Sequence, residues 1–185
     1  NKFFCDENDA VPRKGKTRKN MNDMKIGFGY DIHKFVKGKP LYLGGVKIPF
    51  SMGLLAHSDG DVLLHAVCDS MLGATGLGDI GKHFPTKDKK YKNISSLKLL
   101  ETVDGLIRES GYETINIDTM IVAKEPKIAP YIEQMQAAIS KVLKTKNISI
   151  KATTNEGIGD IGKGKAICAH AVCALKRFAQ PVKQR

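Results

Sequence analysis

Tryptophan is absent from the 185 residues, and phenylalanine and tyrosine bring the aromatic share to only 6%. A chain this poor in aromatics offers no stacking platform for bases. No apolar run reaches the roughly 18 residues needed to cross a bilayer, so no membrane span is expected. Cysteine occurs at Cys5, Cys68, Cys168 and Cys173, with no C-x-x-C pair. That spacing argues against a thiolate zinc site and a disulfide framework; three of the four stand in aliphatic surroundings, as small apolar groups. A reducing compartment is expected.

Positive charge, by contrast, is plentiful: Lys and Arg outnumber Asp and Glu by 30 to 19, a net charge of +11. The lysines are scattered rather than gathered on one element. This argues against nucleic acid as the partner, while the same field would steer a phosphorylated substrate. With 42% hydrophobic residues the chain suits one well-buried domain and is too short for two ordinary ones.

Residues 1–23 are expected to form a disordered basic arm, because Arg13, Lys14, Lys16, Arg18 and Lys19 crowd a stretch with no apolar period. The arm reads as the remnant of an organellar targeting leader, although Asp6, Glu7 and Asp9 are unusual in one. The folded domain is expected over 24–185.

Inside that domain the pattern predicts a strand over 25–33, then a hairpin whose strands 41–43 and 46–48 flank Gly44-Gly45. Ser58 is expected to cap the first helix, with Asp61 completing an acidic capping box and Val62, Leu63, Ala66, Val67 and Leu72 on the buried side. Residues 73–81 break it. Further helices are expected over about 95–108 and 130–144, and strands over 115–123, 148–153 and 166–175. The fold class is α+β: a mixed β-sheet with helices packed on one face and an early β-hairpin. The open face of such a sheet invites association.

GLGDIGK at 76–82 recurs as GIGDIGK at 157–163. Both match G-x-G-x-x-G, yet the first follows a helix, no acidic ribose partner stands at the expected spacing, and neither lysine is followed by Ser or Thr. These are turns rather than cofactor loops.

The chemistry-bearing residues fall into three groups. Asp31 and His33, one residue apart on a strand, point to the same face. With His65 they make a three-ligand set leaving one position open, the pattern of a catalytic zinc. Asp61 and Asp69, at i−4 and i+4 from His65, are candidates to orient its ring. His57 and Ser58 are expected at a helix start, where backbone N–H groups attract phosphate. Thr153, Thr154 and Glu156 follow a strand end, offering two hydroxyls for phosphate and a carboxylate for Mg²⁺.

The segments GFGYDIH, AHSDGDVLLHAVCDSMLGATGLGDIGKHFP, AKEPKIAP and KATTNEGIG, in this order and spacing, resemble the 2-C-methyl-D-erythritol 2,4-cyclodiphosphate synthase family of the non-mevalonate isoprenoid pathway. The resemblance runs over about 24–178. It implies a homotrimer with active sites between neighbouring subunits. The implied substrate is cytidine diphosphate-linked, 4-diphosphocytidyl-2-C-methyl-D-erythritol 2-phosphate, which closes to the cyclodiphosphate and releases CMP. Asp31, His33 and His65 then match the ligands of one Zn²⁺ per active site, and Glu156 the ligand of a Mg²⁺ or Mn²⁺ bridging the substrate diphosphate.

The resemblance also assigns His57 and Thr154 to transition-state stabilisation and Ser58 to a phosphate contact. Ile32 falls within the matched D-I-H substrate contact. Asp79, Ile80 and Gly81, followed by Phe84, Pro85, Thr86, Lys87 and Asp88, match the walls around the methylerythritol. Ala123, Lys124, Glu125, Pro126, Lys127, Ile128 and Ala129, with Thr153, match a cytidine pocket supplied by the adjacent subunit. Asn155 belongs to the same T-T-N-E substrate contact.

One departure stands out. Asp160 and Lys163 occupy places where many bacterial relatives have Phe and Arg, residues associated with an isoprenoid diphosphate channel on the trimer axis. Lys163 keeps a basic partner for diphosphate, while the aromatic wall is lost. The pathway is shared by bacteria and plastids, so the basic arm points to a plastid, with a bacterial cytoplasm as the alternative.

Two other functions compete on the residues alone. A zinc-dependent phosphohydrolase would use the same three ligands to activate water. A basic RNA-binding module would owe its affinity to residues 13–19. Neither accounts for Asp31, His33, His65 and Glu156 in one chain.

Overall fold

Fourteen residues of alternating burial, Met24–Lys37, form the long strand β1. A computed structural model describes residues 23–178. The arm expected over 1–23 lies outside the described residues, as does Cys5, except for Asp23, whose carboxylate accepts from Tyr112 Oη at 2.8 Å and from Arg177.

After β1 come β2 (Leu41–Leu43), β3 (Val46–Ile48) and β4 (Met52–Leu54). Gly44 and Gly45 at the β2–β3 turn have φ of 57° and 78°, the positive values a tight two-residue hairpin requires. This hairpin is a separate two-stranded sheet. The helix α1 (Val62–Thr75) follows, then the one-turn α2 (Ile80–His83), α3 (Ser96–Glu109), β5 (Tyr112–Val122), α4 (Ile132–Leu143), β6 (Ile148–Thr153), the one-turn α5 (Gly159–Gly162) and β7 (Ala166–Arg177).

The main sheet has the order β4-β1-β7-β5-β6. Its pairs are antiparallel except β5 with β6, so the expected mixed sheet is present. The last strand among the described residues, β7, lies at the centre of the sheet. Ala169, Ala171 and Cys173 of β7 are buried, and their small side chains leave room for α1 on top.

Almost every side of α1 is apolar and buried, as suits a helix sealed between a sheet and α3. Two glycines of β1 set how close it comes. A Cβ on Gly27 would lie 1.9 Å from the Ser70 carbonyl oxygen, and one on Gly29 would lie 2.0 Å from that of Ala66. The helix therefore rests directly on bare strand backbone.

The start of α1 differs from expectation. Its N-cap is Asp61 rather than Ser58, with Asp61 Oδ1 accepting from Leu64 N at 3.1 Å. The same carboxylate accepts from Gly44 N and Gly45 N at 2.9 and 2.7 Å, which ties the hairpin turn to the helix. Burial pushes its pKa up to about 6, against the pull of those amides. The third expected helix also begins later, at Ile132, after a 3-10 turn over Ala129–Tyr131.

The GxGxxG repeats fold as helix ends and single helical turns. Gly76 is the left-handed C-cap of α1, and Asp79 caps α2 by accepting from Lys82 N. In the second copy Asp160 pairs with Lys165 at 3.3 Å on the surface.

The other face of β1 is apolar and uncovered. Ile26 and Phe28 are 71% and 64% exposed, and Met24, Tyr30, Ile32 and Val172 extend the patch. No helix among the described residues is long and apolar enough to cross a membrane.

Candidate active site

Because α1 lies flat on Gly27 and Gly29, its residue His65 reaches the next helix-facing position of the strand, Asp31. His65 Nδ1 is 2.8 Å from Asp31 Oδ2, and His33 Nδ1 is 3.0 Å from the same oxygen. Asp31 Oδ1 accepts from Ile32 N at 2.9 Å, which fixes the carboxylate's orientation. The imidazole centroids stand 5.2 Å apart.

One ligand atom from each of the three residues lies within 4.8 Å of the others. His33 Nδ1 is buried and has no hydrogen-bond partner among the described residues, since its contact with Asp31 is poorly aligned. A carboxylate oxygen and two imidazole nitrogens this close together could hold a metal ion between them. Two nitrogens and an oxygen fit a borderline ion such as zinc.

Without a metal the three groups hold one another by charge and hydrogen bonding. Burial pushes the Asp31 carboxyl up, but bonds and charge from His33 and His65 outweigh it and leave the pKa at about 2. For His65, burial disfavours the cation, yet the Asp31 carboxylate prevails and raises its pKa.

On its other side the His65 ring meets two hydroxyls. Nε2 is 3.1 Å from Ser58 Oγ and 3.2 Å from Ser96 Oγ. Asp61 and Asp69, the expected orienting carboxylates, are both engaged elsewhere. Asp61 holds the hairpin turn, and Asp69 Oδ1 accepts from Ile80 N at 2.8 Å to secure the start of α2. Ser58 is not at the helix start, so it faces His65 instead of offering free helical N–H groups.

A cavity of about 310 Å³ opens over this cluster. Its wall brings together Asp31, His33, His57, Ser58, His65, Ile80, Gly81, Phe84 and Thr86, all expected site residues. Leu55, Ala56, Tyr91, Ile94 and Leu99 complete the lining and were not expected. Phe84 and Tyr91 meet edge to face at 5.3 Å, a contact that only the 3-10 turn at Lys89–Tyr91 makes and that carries no motif. Ile32 points away from the cavity onto the open sheet face, and Asp79, Pro85, Lys87 and Asp88 are not in the lining.

The YgbB family model matches residues 24–176. The chain belongs to the YgbB family. It is an enzyme of the lyase type, and its curated relatives are named 2-C-methyl-D-erythritol 2,4-cyclodiphosphate synthase. The relative from Clostridium kluyveri is 57% identical over 154 residues, 82% of this chain and 94% of that protein. Among solved structures, the bifunctional IspDF of Campylobacter jejuni is 43% identical with a TM-score of 0.81. The match covers 84% of this chain but only 43% of that longer protein. IspF of Plasmodium falciparum, solved as a CDP complex, is 38% identical with a TM-score of 0.74, covering 84% of this chain and 97% of that one.

In this YgbB-family fold the remaining expected residues form a second group. Parallel β5 and β6 end together at Val122 and Thr153, and Ala123 N donates to Thr153 O at 3.0 Å. Residues 123–129 and 153–156 leave the sheet side by side there. Thr154 Oγ1 donates to Glu156 Oε1 at 2.5 Å, and Glu156 has a φ of 44°. Lys163 ends α5. Register places Asp31 across from Ala169, Ala169 across from Ile121, and Ile121 across from Ala152. The two groups thus share one end of the sheet, three strand steps or roughly 14 Å apart. None of the second group lines the cavity over Asp31.

Proposed function

We propose that the chain converts 4-diphosphocytidyl-2-C-methyl-D-erythritol 2-phosphate into 2-C-methyl-D-erythritol 2,4-cyclodiphosphate and CMP. The observation that carries this is the convergence of Asp31, His33 and His65 beneath a cavity walled by His57 and Ser58. An oxygen of the 2-phosphate attacks the β-phosphorus, the bond from that phosphorus to the bridging oxygen breaks, and CMP leaves with the oxygen. No water is consumed.

The reaction is intramolecular, so the protein's main task is to fold the substrate back on itself and neutralise its charge. Asp31, His33 and His65 would hold Zn²⁺, and Glu156 a Mg²⁺ or Mn²⁺; when bound, these ions supply Lewis-acid charge neutralisation and a template for the phosphates. His57 at the cavity rim and Thr154 stabilise the pentavalent transition state, while Ser58 offers a hydroxyl to phosphate. Ile80, Gly81, Phe84 and Thr86 shape the wall for the methylerythritol. Residues 123–129 with Thr153 take the cytidine, a role supported by the CDP complex of the Plasmodium falciparum relative.

The separation of the two residue groups supports a homotrimer in which a neighbour's Thr153–Glu156 segment completes each cavity, with the apolar β1 face buried between subunits. The Clostridium kluyveri relative fits the bacterial-cytoplasm alternative, and the comparisons lend the plastid assignment no support.

The test is incubation of purified protein with Zn²⁺, Mg²⁺ and the cytidylated substrate. CMP without inorganic phosphate is expected. Phosphate release would instead indicate the zinc phosphohydrolase, and unchanged CMP release by His65→Ala would overturn the assignment.

A further inference from the structure

We infer that Asp59 and Ser96 are positioning residues that fix the tautomer of His65, so that its Nδ1 lone pair faces the ion. This rests on the proposed metal site of Asp31, His33 and His65 and adds a chain of hydrogen bonds behind it.

Ser96 is fully buried at the first turn of α3. Its backbone N–H, one of the helix's orphan donors, goes to Asp59 Oδ2 at 2.8 Å, so a loop carboxylate caps this helix from outside. Its hydroxyl donates to Asp59 Oδ1 at 2.5 Å. Asp59 is itself held in place, with its N–H on Ile94 O at 3.0 Å and its Oδ1 also accepting from Asp61 N.

The proton count then leaves one arrangement. An ionised carboxylate only accepts, so the single Ser96 proton is committed to Asp59. Toward His65 Nε2, at 3.2 Å, Ser96 Oγ can only accept. Nε2 must therefore carry hydrogen, so Nδ1, which donates to Asp31 in the metal-free protein, is the nitrogen left with a lone pair when a metal displaces that proton. Ser58 alone cannot impose this, because its hydroxyl can turn to donate or accept. Once Ser96 settles the tautomer, Ser58 Oγ accepts from Gly60 N and His65 Nε2 and keeps its own proton for a ligand in the cavity. A carboxylate relayed through a hydroxyl does here what a direct carboxylate does behind many metal-bound histidines.

The experiment measures Zn²⁺ affinity of the full chain by chelator competition. Ser96→Ala removes only the hydroxyl and leaves the backbone bond to Asp59. It is expected to weaken Zn²⁺ binding by roughly 10- to 100-fold. Ser96→Thr, which keeps the hydroxyl, is expected to restore affinity to within about threefold of wild type. Thermal unfolding of the metal-free proteins separates this from a structural role, which would lower the midpoint of Ser96→Ala while leaving its Zn²⁺ affinity intact. Equal affinity of Ser96→Ala and wild type, with CMP release normal in wild type, overturns the relay alone. Failure of wild type to bind Zn²⁺ overturns both the relay and the metal site beneath it.

Discussion

A Cβ added to Gly29 would lie 2.0 Å from the carbonyl oxygen of Ala66 and 2.7 Å from Ser70 N. This contact between bare strand and helix backbone sets the height of α1 above the sheet, and with it the distance from His65 to Asp31. Gly29→Ala must push the helix outward, so it is expected to destabilise by about 3 kcal/mol, at the upper end for an overpacked core. It should also abolish zinc binding. Gly73→Ala on the same helix would meet only Phe28 O, at 3.9 Å, and should stabilise by roughly 0.5–1 kcal/mol through helix propensity. Urea denaturation of both variants checks the pair. A Gly29→Ala protein as stable as wild type would remove the helix height as the cause of the site's geometry.

The Asp31–His65 contact makes the metal-free protein's stability depend on pH from both sides. Asp31 has a folded pKa lowered to about 2, so its contribution is present above 3.8 and is lost as pH falls through 2. His65 has a raised folded pKa, so its share is full below 6.5 and is lost as pH rises through the folded value. The two describe one interaction, worth on the order of 2 kcal/mol and complete between about pH 4 and 6.5. A zinc ion at the proposed site would have to displace the shared proton, so Zn²⁺ affinity should fall in that same window. Chelator-treated wild type and Asp31→Asn, unfolded in urea from pH 3 to 9, should differ most there. Parallel pH profiles for the two would refute the coupling.

The outer face of β1 carries a contiguous apolar stripe, Met24, Ile26, Phe28, Tyr30 and Ile32, the kind of exposed patch that marks an association surface. The rings of Phe28 and Tyr30 both lie tilted beside His170, at 6.0 and 5.0 Å between centroids, which gives the patch an aromatic centre. Phe28→Asp is therefore expected to convert a trimer to monomers in light scattering. CMP release should be lost with it, even though no atom of Phe28 lines the cavity. A monomeric wild type, or a trimeric Phe28→Asp protein, would contradict this.

What the sequence made legible follows from local periodicity. The alternation through Asp31-Ile32-His33 put both ligands on one face, and Gly44-Gly45 announced its turn. The errors arise where distant segments decide. Ser58 and Asp61 are both good capping residues, and locally either could start the helix. Asp61 wins because Gly44 and Gly45 bring it two further amides from the hairpin. Likewise, Asp61 and Asp69 were the orienting candidates because they share a helix face with His65. The groups that touch its Nε2, Ser58 and Ser96, come from a loop and from α3, 31 residues away in the case of Ser96. No helical spacing encodes that contact. The central place of β7 is equally nonlocal, since the last described strand inserts between β1 and β5.

Whether each cavity is completed by a neighbour can be decided by mixing two inactive variants. His65→Ala lacks a ligand of the first group and Glu156→Ala a carboxylate of the second, so each should release no CMP on its own. If a site draws the two groups from different subunits, some mixed assemblies pair an intact His65 with an intact Glu156. Unfolding and reassembling equal amounts at random in a cyclic trimer should give one such site in four, or about a quarter of wild-type CMP release. If both groups serve the same chain, every site retains one defect and the mixture stays inactive. The roughly 14 Å between the groups within one chain, and the absence of Thr153–Glu156 from the cavity wall, lead us to expect the quarter.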